Sequence, residues 1–208
     1  MKTVALALLG LVSATAANAQ GGPRIEARLG WDHQAIDALV TDGDVSYDGK
    51  VSSDGFSYGG EIGYDVPLGN FLIGAYAGID AATTGECVSW TSGEEACIKA
   101  GRNITAGLRV GARLGAGVLA YVKGGYSSGR VRATYRDPLD ATYDFAIGEN
   151  VDGYHVGGGV QADVGRNLYM KLEYVYTDYS DYDYRDETIG ARVRLDRSAI
   201  VYGLGYRF

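Results

Sequence analysis

The chain has 208 residues, and its 26 acidic and 19 basic side chains give a net charge of −7. This length suits one domain, and the acidic balance excludes nucleic acid as a partner because no basic patch would neutralise its phosphates. Glycine (32 residues) and tyrosine (17) are abundant. Because the glycines alternate with apolar residues, this composition favours strands with a crowded interior and amphipathic rings at an interface.

The start of the chain has the layout of a secretory signal peptide. A short positive region precedes an apolar stretch from Val4 to Val12, and a small-residue cleavage sequence ends at Ala19. The stretch is too short for a transmembrane helix, and no later one approaches the length of about 18 residues that a spanning helix needs. We therefore predict that residues 1–19 are removed, that 20–208 form the mature domain, and that any membrane crossing uses strands.

Eight later segments alternate between large apolar residues and small or polar ones, as β-strands do. In chain order, the predicted strands are Ile25 to Trp31, Phe56 to Val66, Ile73 to Ile79, Ile104 to Leu114, Val118 to Tyr126, Tyr154 to Val164, Leu168 to Tyr176 and Ser198 to Phe208. Short turns at 67–70, 115–117 and 165–167 alternate with predicted long loops at 33–54, 82–101, 128–152 and 178–197. This alternation predicts an up-and-down barrel with both chain ends at the short-turn end.

The apolar face of these segments is predicted to point outward, toward lipid. A soluble barrel with the apolar face inside has the same period and is the alternative. The apolar face carries no charge in any segment, as lipid requires, since a Lys or Arg at the bilayer midplane costs about 2–4 kcal/mol. Rings such as Trp31, Phe56 and Tyr154 also cluster near segment ends. We therefore predict an all-β fold, an eight-stranded antiparallel up-and-down transmembrane β-barrel.

The last segment ends with four large apolar residues in alternation: Tyr202, Leu204, Tyr206 and Phe208. Over its whole mature length, the chain resembles the small outer-membrane β-barrel proteins of Gram-negative bacteria. These include the OmpA transmembrane domain, OmpX, Opa-type opacity proteins and the "porin family" barrels of alphaproteobacteria. The resemblance implies an outer-membrane location with both termini in the periplasm and with lipid and lipopolysaccharide as neighbours. It also implies that the four residues form the assembly signal read by the barrel-assembly machinery.

The inward face carries nearly balanced charge. Its predicted cations are Arg28, Arg109, Arg113, Lys123, Lys171 and Arg207, and its predicted anions are Glu26, Asp32, Glu61, Asp65, Asp80, Asp163 and Glu173. An eight-stranded interior is filled by side chains, and buried charges must be paired there. The prediction is a salt-bridged plug. The alternative is a gated conduit whose mid-depth network exchanges partners, formed by Arg28, Glu61, Arg109, Lys123 and Glu173.

Cys87 and Cys97 are predicted to form a disulfide in the second long loop, because an exported chain meets oxidising conditions. No metal site is expected, since two thiols without nearby histidines do not supply four ligands. No cofactor is expected either.

Catalysis is not expected from the two histidines. A serine hydrolase needs Ser and His within hydrogen-bond reach. His155 has no serine two residues away on its own strand face, and His33 and Asp32 are adjacent strand residues that point to opposite faces. The predicted role is therefore structural or interactive. A narrow porin-like channel for ions or small solutes is the alternative, and a lipid-A-modifying enzyme is the third hypothesis.

Two of the predicted long loops are acidic. The first carries Asp37, Asp42, Asp44, Asp48 and Asp54, and the fourth carries Asp178, Asp181, Asp183, Asp186 and Glu187 with Tyr179, Tyr182 and Tyr184 interleaved. Such loops are typically solvated, but two functions are open to them. They are candidates for divalent cations shared with lipopolysaccharide, although their spacing matches no EF-hand. They are also candidates for binding a host or phage protein.

Overall fold

The computed structural model describes residues 21–42, 45–89, 94–115, 117–136, 138, 145–185 and 189–208. The strands are β1 (Gly22–Asp42), β2 (Val45–Leu68), β3 (Phe71–Ala82), β4 (Gly85–Ser89), β5 (Glu95–Gly115), β6 (Val118–Arg136), β7 (Phe145–Asp163), β8 (Leu168–Arg185) and β9 (Ile189–Arg207). No helix in the described part of the chain is long and apolar enough to span a bilayer.

The strands close into an antiparallel barrel. Consecutive strands pair along the sheet except β3 and β4, and the additional pairings of β1 with β9 and of β3 with β5 complete the ring. The short β4 continues the line of β3 after Thr83 and Thr84 and also pairs with β5. The two pieces therefore make one wall strand, and the predicted eight-stranded barrel is confirmed.

Most of the predicted long loops are strand instead. β1 and β2 stay paired without interruption as far as Asp42 opposite Val45. β6 and β7 pair as far as Tyr135 opposite Phe145, and β8 and β9 continue to Arg185. The loop prediction was wrong because it ended each strand where the apolar face ended. A strand that leaves the membrane needs only a paired neighbour to satisfy its backbone hydrogen-bonding groups. These paired extensions define the hairpin end of the barrel.

The opposite, short-turn end carries tight connections near the predicted positions. Leu68 and Phe71 are joined through Gly69, whose φ of +63° lies in the left-handed region that favours glycine. β5 ends at Gly115 and β6 begins at Val118. β7 and β8 are connected through 164–167.

The two faces of the wall point as predicted. Large apolar side chains stand on the outer surface, among them Leu29, Leu108 and Tyr154, which are 67 %, 67 % and 74 % exposed. Polar and charged side chains fill the inside. Glycines make room for the largest of them: a Cβ on Gly205 would lie 2.1 Å from the ring of Tyr169. The abundance of glycine is therefore a consequence of a narrow interior filled by long side chains.

Candidate functional site

Four of the five residues predicted to form the interior network meet at the middle of the barrel. Glu61 on β2 accepts hydrogen bonds from Arg28 on β1 (3.1 Å) and from Lys123 on β6 (2.9 Å). Lys123 also donates to Glu173 on β8 (3.1 Å), and Arg28 lies 3.6 Å from the same carboxylate. All four side chains are buried. We call Arg28, Glu61, Lys123 and Glu173 the central ring, in which each cation contacts both carboxylates.

Arg109 does not belong to the central ring. Its Nε donates to Asp65 at 2.9 Å, and its Nη1 donates to Gln161 at 3.4 Å. The register explains this choice, because Gly74 lies between Asp65 and Arg109 on adjacent strands. A Cβ on Gly74 would meet the Asp65 carboxylate at 2.2 Å, so the glycine opens the path across β3.

A second layer of ion pairs lies on the short-turn side of the central ring. Arg24 lies 3.0 Å from Glu26 and 2.7 Å from Glu61. Lys171 forms ion pairs with Glu26 and Glu61, and the Tyr169 hydroxyl donates to Glu26 at 2.8 Å. Glu26 and Glu61 therefore join the two layers, and the buried charges form one network across several strands.

A third pair lies toward the hairpin end. Arg197 reaches Asp32 at 2.6 Å, and Ser57 donates to the same carboxylate at 3.2 Å. Sequence reasoning missed Arg24 and Arg197 because the predicted strands started one residue after each of them. Both residues have the inward parity of their strands, so a longer alternation would have included them.

The described interior has little free volume. Two cavities of about 20 and 30 Å³ lie between the central ring and the hairpin end. A cavity needs about 10–15 Å³ of such volume to hold one water. The two spaces therefore fit a few water molecules. The lining of the smaller cavity includes Arg28 of the central ring, Arg197 nearer the hairpin end, and Asp80 and Thr105.

The structure does contain a serine–histidine pair that the sequence did not suggest. Ser127 Oγ lies 2.9 Å from Nδ1 of His155, and the Tyr76 hydroxyl contacts Nε2 of the same ring. The pair forms across β6 and β7, which reasoning along a single strand cannot find; the register between the two strands is the missing signal. Ser127 is 0 % exposed, so no substrate reaches its hydroxyl. The arrangement is that of a satisfied buried histidine, with Tyr76 where a triad acid would stand.

His33 pairs with Asp54 and not with Asp32, its neighbour in sequence. Its Nδ1 lies 2.9 Å from Asp54 on β2, and Trp31 donates to the same group at 3.4 Å. These hydrogen bonds, that of His33 above all, hold the pKa of Asp54 below its usual value. The pair is exposed at the hairpin end.

The predicted disulfide is confirmed, although its surroundings differ from the prediction. Cys87 and Cys97 are bonded to each other and stand directly opposite on β4 and β5. The bond therefore links two paired strands, not the ends of an irregular loop.

The acidic stretches are only partly described. Asp37 forms an ion pair with Lys50 at 3.3 Å. Tyr179, predicted to lie in the fourth long loop, is instead buried inside the barrel, because β8 extends through this position. Several further predicted loop residues have side chains outside the part that the structure describes: Asp42, Asp44, Asp48, Asp181, Asp183, Asp186, Glu187, Tyr182 and Tyr184.

The end of β9 presents the predicted assembly signal on the outer surface. Its four apolar side chains are exposed, and the rings of Tyr206 and Phe208 pack edge to face with centroids 4.9 Å apart. Gly203, Gly205 and Arg207 point inward between them.

Comparison with known proteins adds a family relationship. The family model described as "Outer membrane protein beta-barrel domain" matches residues 3–208. A 22 kDa outer membrane protein of Rhizobium leguminosarum is 30% identical over 155 residues, covering 74% of this chain and 67% of that protein. A 25 kDa outer-membrane immunogenic protein of Brucella canis is 29% identical over 91 residues, covering 44% of this chain and 39% of that protein.

Among solved structures, the outer membrane protease OmpT from Escherichia coli superposes with a TM-score of 0.53. Its sequence is 11% identical, and the match covers 94% of this chain and 99% of OmpT. At this identity, the likeness concerns the fold alone.

Proposed function

Because this chain belongs to the outer membrane protein β-barrel family and resides in the outer membrane of a Gram-negative bacterium, we propose that it is a non-enzymatic barrel with a role in envelope integrity or surface contact. The observation that carries this proposal is the filled interior. Ion pairs join opposite walls at the central ring, and the described cavities hold only a few waters. A plug of this kind makes the barrel a rigid support for what its hairpin end presents.

The proposal includes an orientation. The short turns and both chain ends face the periplasm, residues 1–19 act as the signal peptide, and the paired hairpins project outside the cell. The length difference between the two ends supports this, because outer-membrane barrels have short periplasmic turns and longer outer connections. Tyr202, Leu204, Tyr206 and Phe208 are proposed as the signal for the barrel-assembly machinery.

A surface role for the hairpin end has support from chemistry and from a relative. Recognition usually resides on projecting segments carried by a rigid scaffold. The Brucella canis relative is called immunogenic, a property that fits an exposed surface. We propose a host or phage protein as the class of partner that would contact the hairpins.

A narrow channel is the second candidate function, and the central ring favours it. Lys123 contacts both Glu61 and Glu173, so its ammonium has two acceptors between which it can move. Exchange of such partners is a recognised kind of two-state switch. The channel hypothesis requires that one of the two arrangements leave an open path.

Single-channel conductance in planar bilayers tests both candidates. We expect wild-type protein to be silent while migrating as a folded, heat-modifiable barrel in electrophoresis. A Lys123→Met variant removes the cation between the two carboxylates, and we expect it to stay silent because Arg28, Arg24 and Lys171 still fill the space. Discrete wild-type openings that change in Lys123→Met would contradict the plug and favour the channel.

A further inference from the structure

The outward face of β6 changes from apolar to basic as it leaves the membrane. Tyr126 stands on this face directly opposite Tyr154 of β7, and their rings pack edge to face with centroids 6.3 Å apart. Such rings mark the membrane interface of a barrel. Because β6 and β7 stay in register beyond this point, Arg130 and Arg132 continue along the same face. Arg136 follows on that face, opposite Glu95 of β5.

β5 adds a further cation to this face. A β-bulge interrupts the pairing of β5 with β6 between Ala100 and Asn103. Beyond the bulge the pairing resumes, and Lys99 stands directly opposite Arg132. Lys99 and Arg132 are both exposed. We call Lys99, Arg130, Arg132 and Arg136 the basic patch.

The basic patch has unbalanced charge. Like charges directly opposite on paired strands destabilise a sheet. Within the described residues, no carboxylate lies within 4.0 Å of any of the four cations, and Arg130 Nε is a buried donor with no hydrogen-bond partner. Two other described cations toward the hairpin end are paired: Lys50 with Asp37, and Arg197 with Asp32. Glu95, directly opposite Arg136, offsets one of the four charges. Lys99, Arg130 and Arg132 are left without a carboxylate partner among the described residues, so this part of the basic patch can take an anion from outside the chain.

A groove at the basic patch offers space for such an anion. It has a volume of about 500 Å³, and its lining includes Glu95, Cys97, Lys99, Arg132, Thr134 and Arg136. The Cys87–Cys97 bond fixes β4 to β5 beside Lys99. The cations are thus held on paired, cross-linked strands rather than on a mobile loop, which lowers the entropic cost of binding.

The height of the basic patch places its cations where lipid headgroups lie. Arg130 and Arg132 follow Tyr126 by four and six residues, which places them about 9 and 14 Å beyond the aromatic level for a strand tilted by about 45°. They face sideways, along the membrane surface, where a headgroup of the surrounding leaflet can reach them. Arginine and lysine on rigid frames are suited to phosphate.

We propose that the basic patch binds the phosphate groups of lipid A, the lipid portion of lipopolysaccharide in the surrounding outer leaflet. The inference rests on the proposed orientation, with the hairpins outside the cell. It gives the barrel a specific lipid contact on one side of its wall, where β5 and β6 leave the membrane.

The test is lipid binding by native mass spectrometry of the mature protein in detergent. The ligands are bisphosphorylated lipid A and the same lipid after enzymatic removal of its phosphates. The variant is the double change Lys99→Gln/Arg132→Gln. The control is Lys50→Gln/Arg166→Gln, which also removes two cations, one at the hairpin end and one, Arg166, exposed at the short-turn end. Heat-modifiable migration verifies that each protein is folded.

We expect wild type and control to prefer phosphorylated lipid A, and the Lys99→Gln/Arg132→Gln variant to bind it about 30-fold more weakly. Equal binding by the variant, or equal wild-type binding of dephosphorylated lipid, would overturn the proposal. So would dextran sulfate binding that depends on Lys99 and Arg132 without a preference for lipid A, since the ligand would then be a soluble polyanion. None of these results touches the plug, which conductance tests separately.

Discussion

At the scale of single residues, Glu61 holds the interior together. Its carboxylate lies within 3.1 Å of Arg24, Arg28 and Lys123, which come from two other strands. The side chain is almost completely buried. Removing the charge of one partner in a buried network leaves the others uncompensated in a low-dielectric interior, which costs more than the original pairing contributed. The plug is therefore expected to be sensitive to the loss of the Glu61 charge.

We expect Glu61→Gln to lower the free energy of unfolding by about 3–5 kcal/mol. Urea denaturation of the barrel refolded in lipid vesicles measures this. Glu149→Gln is the matched control, because Glu149 is exposed on β7 and its neutralisation leaves no buried cation behind. A Glu61→Gln barrel as stable as wild type would mean that the pairing does not stabilise the fold.

Asp54 gives a pH-dependent prediction at the same scale. Its lowered pKa, caused first by the hydrogen bond from His33, means that the carboxylate favours the folded state above its unfolded-state pKa. That contribution is lost as pH falls through the folded-state value. We expect His33→Gln to raise the pKa of Asp54 toward its ordinary range, as followed by carbon NMR of the labelled carboxyl group. An unchanged titration would show that His33 is not the cause.

At the scale of elements, β9 combines two requirements in one strand. Its inward side chains include Arg197 and Arg207, which pair with Asp32 and Asp163. From Ile200 onward its outward side chains are apolar, and Phe208 follows directly after the strand. The strand therefore closes the barrel against β1 and β8 while presenting the proposed assembly signal to the outside.

Phe208→Ala is expected to reduce several-fold the amount of folded protein in the outer membrane of expressing cells, with little effect on unfolding of the barrel once it is folded. Phe71→Ala is the control, because Phe71 is a similarly exposed ring (59 % against 65 %) on β3. Heat-modifiable migration of membrane fractions provides the measurement. If both variants assemble equally well, the terminal ring has no special part in assembly.

At the scale of elements, the alternation of apolar residues does not predict the hairpin extensions. Polar sequence between apolar segments favours a loop when each segment is considered alone. Here β6 and β7 keep their register far past Tyr126 and Tyr154, the last apolar pair on the outward face. Backbone pairing with a neighbour continues a strand without any demand on side-chain polarity. The basic patch exists only because these extensions place Lys99 beside Arg132.

At the scale of the whole molecule, the barrel is an inside-out arrangement of charge and apolar surface. Its apolar side chains face outward, and its charges converge on a narrow axis where glycines leave space for them. Interior charges within each layer come from strands far apart in sequence, as Lys123 and Glu61 do. Closure of the sheet brings these charges together. We therefore expect the barrel to unfold as one cooperative unit, and any conductance to depend on the same interior charges.

The sequence by itself determined the strand period, the outward apolar face, the barrel class and the disulfide. Each depends on local alternation or on two cysteines close in sequence. Tertiary structure decided which charges meet. Arg109 turned to Asp65 through the gap at Gly74, and Ser127 reached His155 across two strands. It also decided that the expected loops are strands. The physical reason is that strand register and barrel closure set distances between residues far apart in sequence, and alternation along one strand carries no information about its partner.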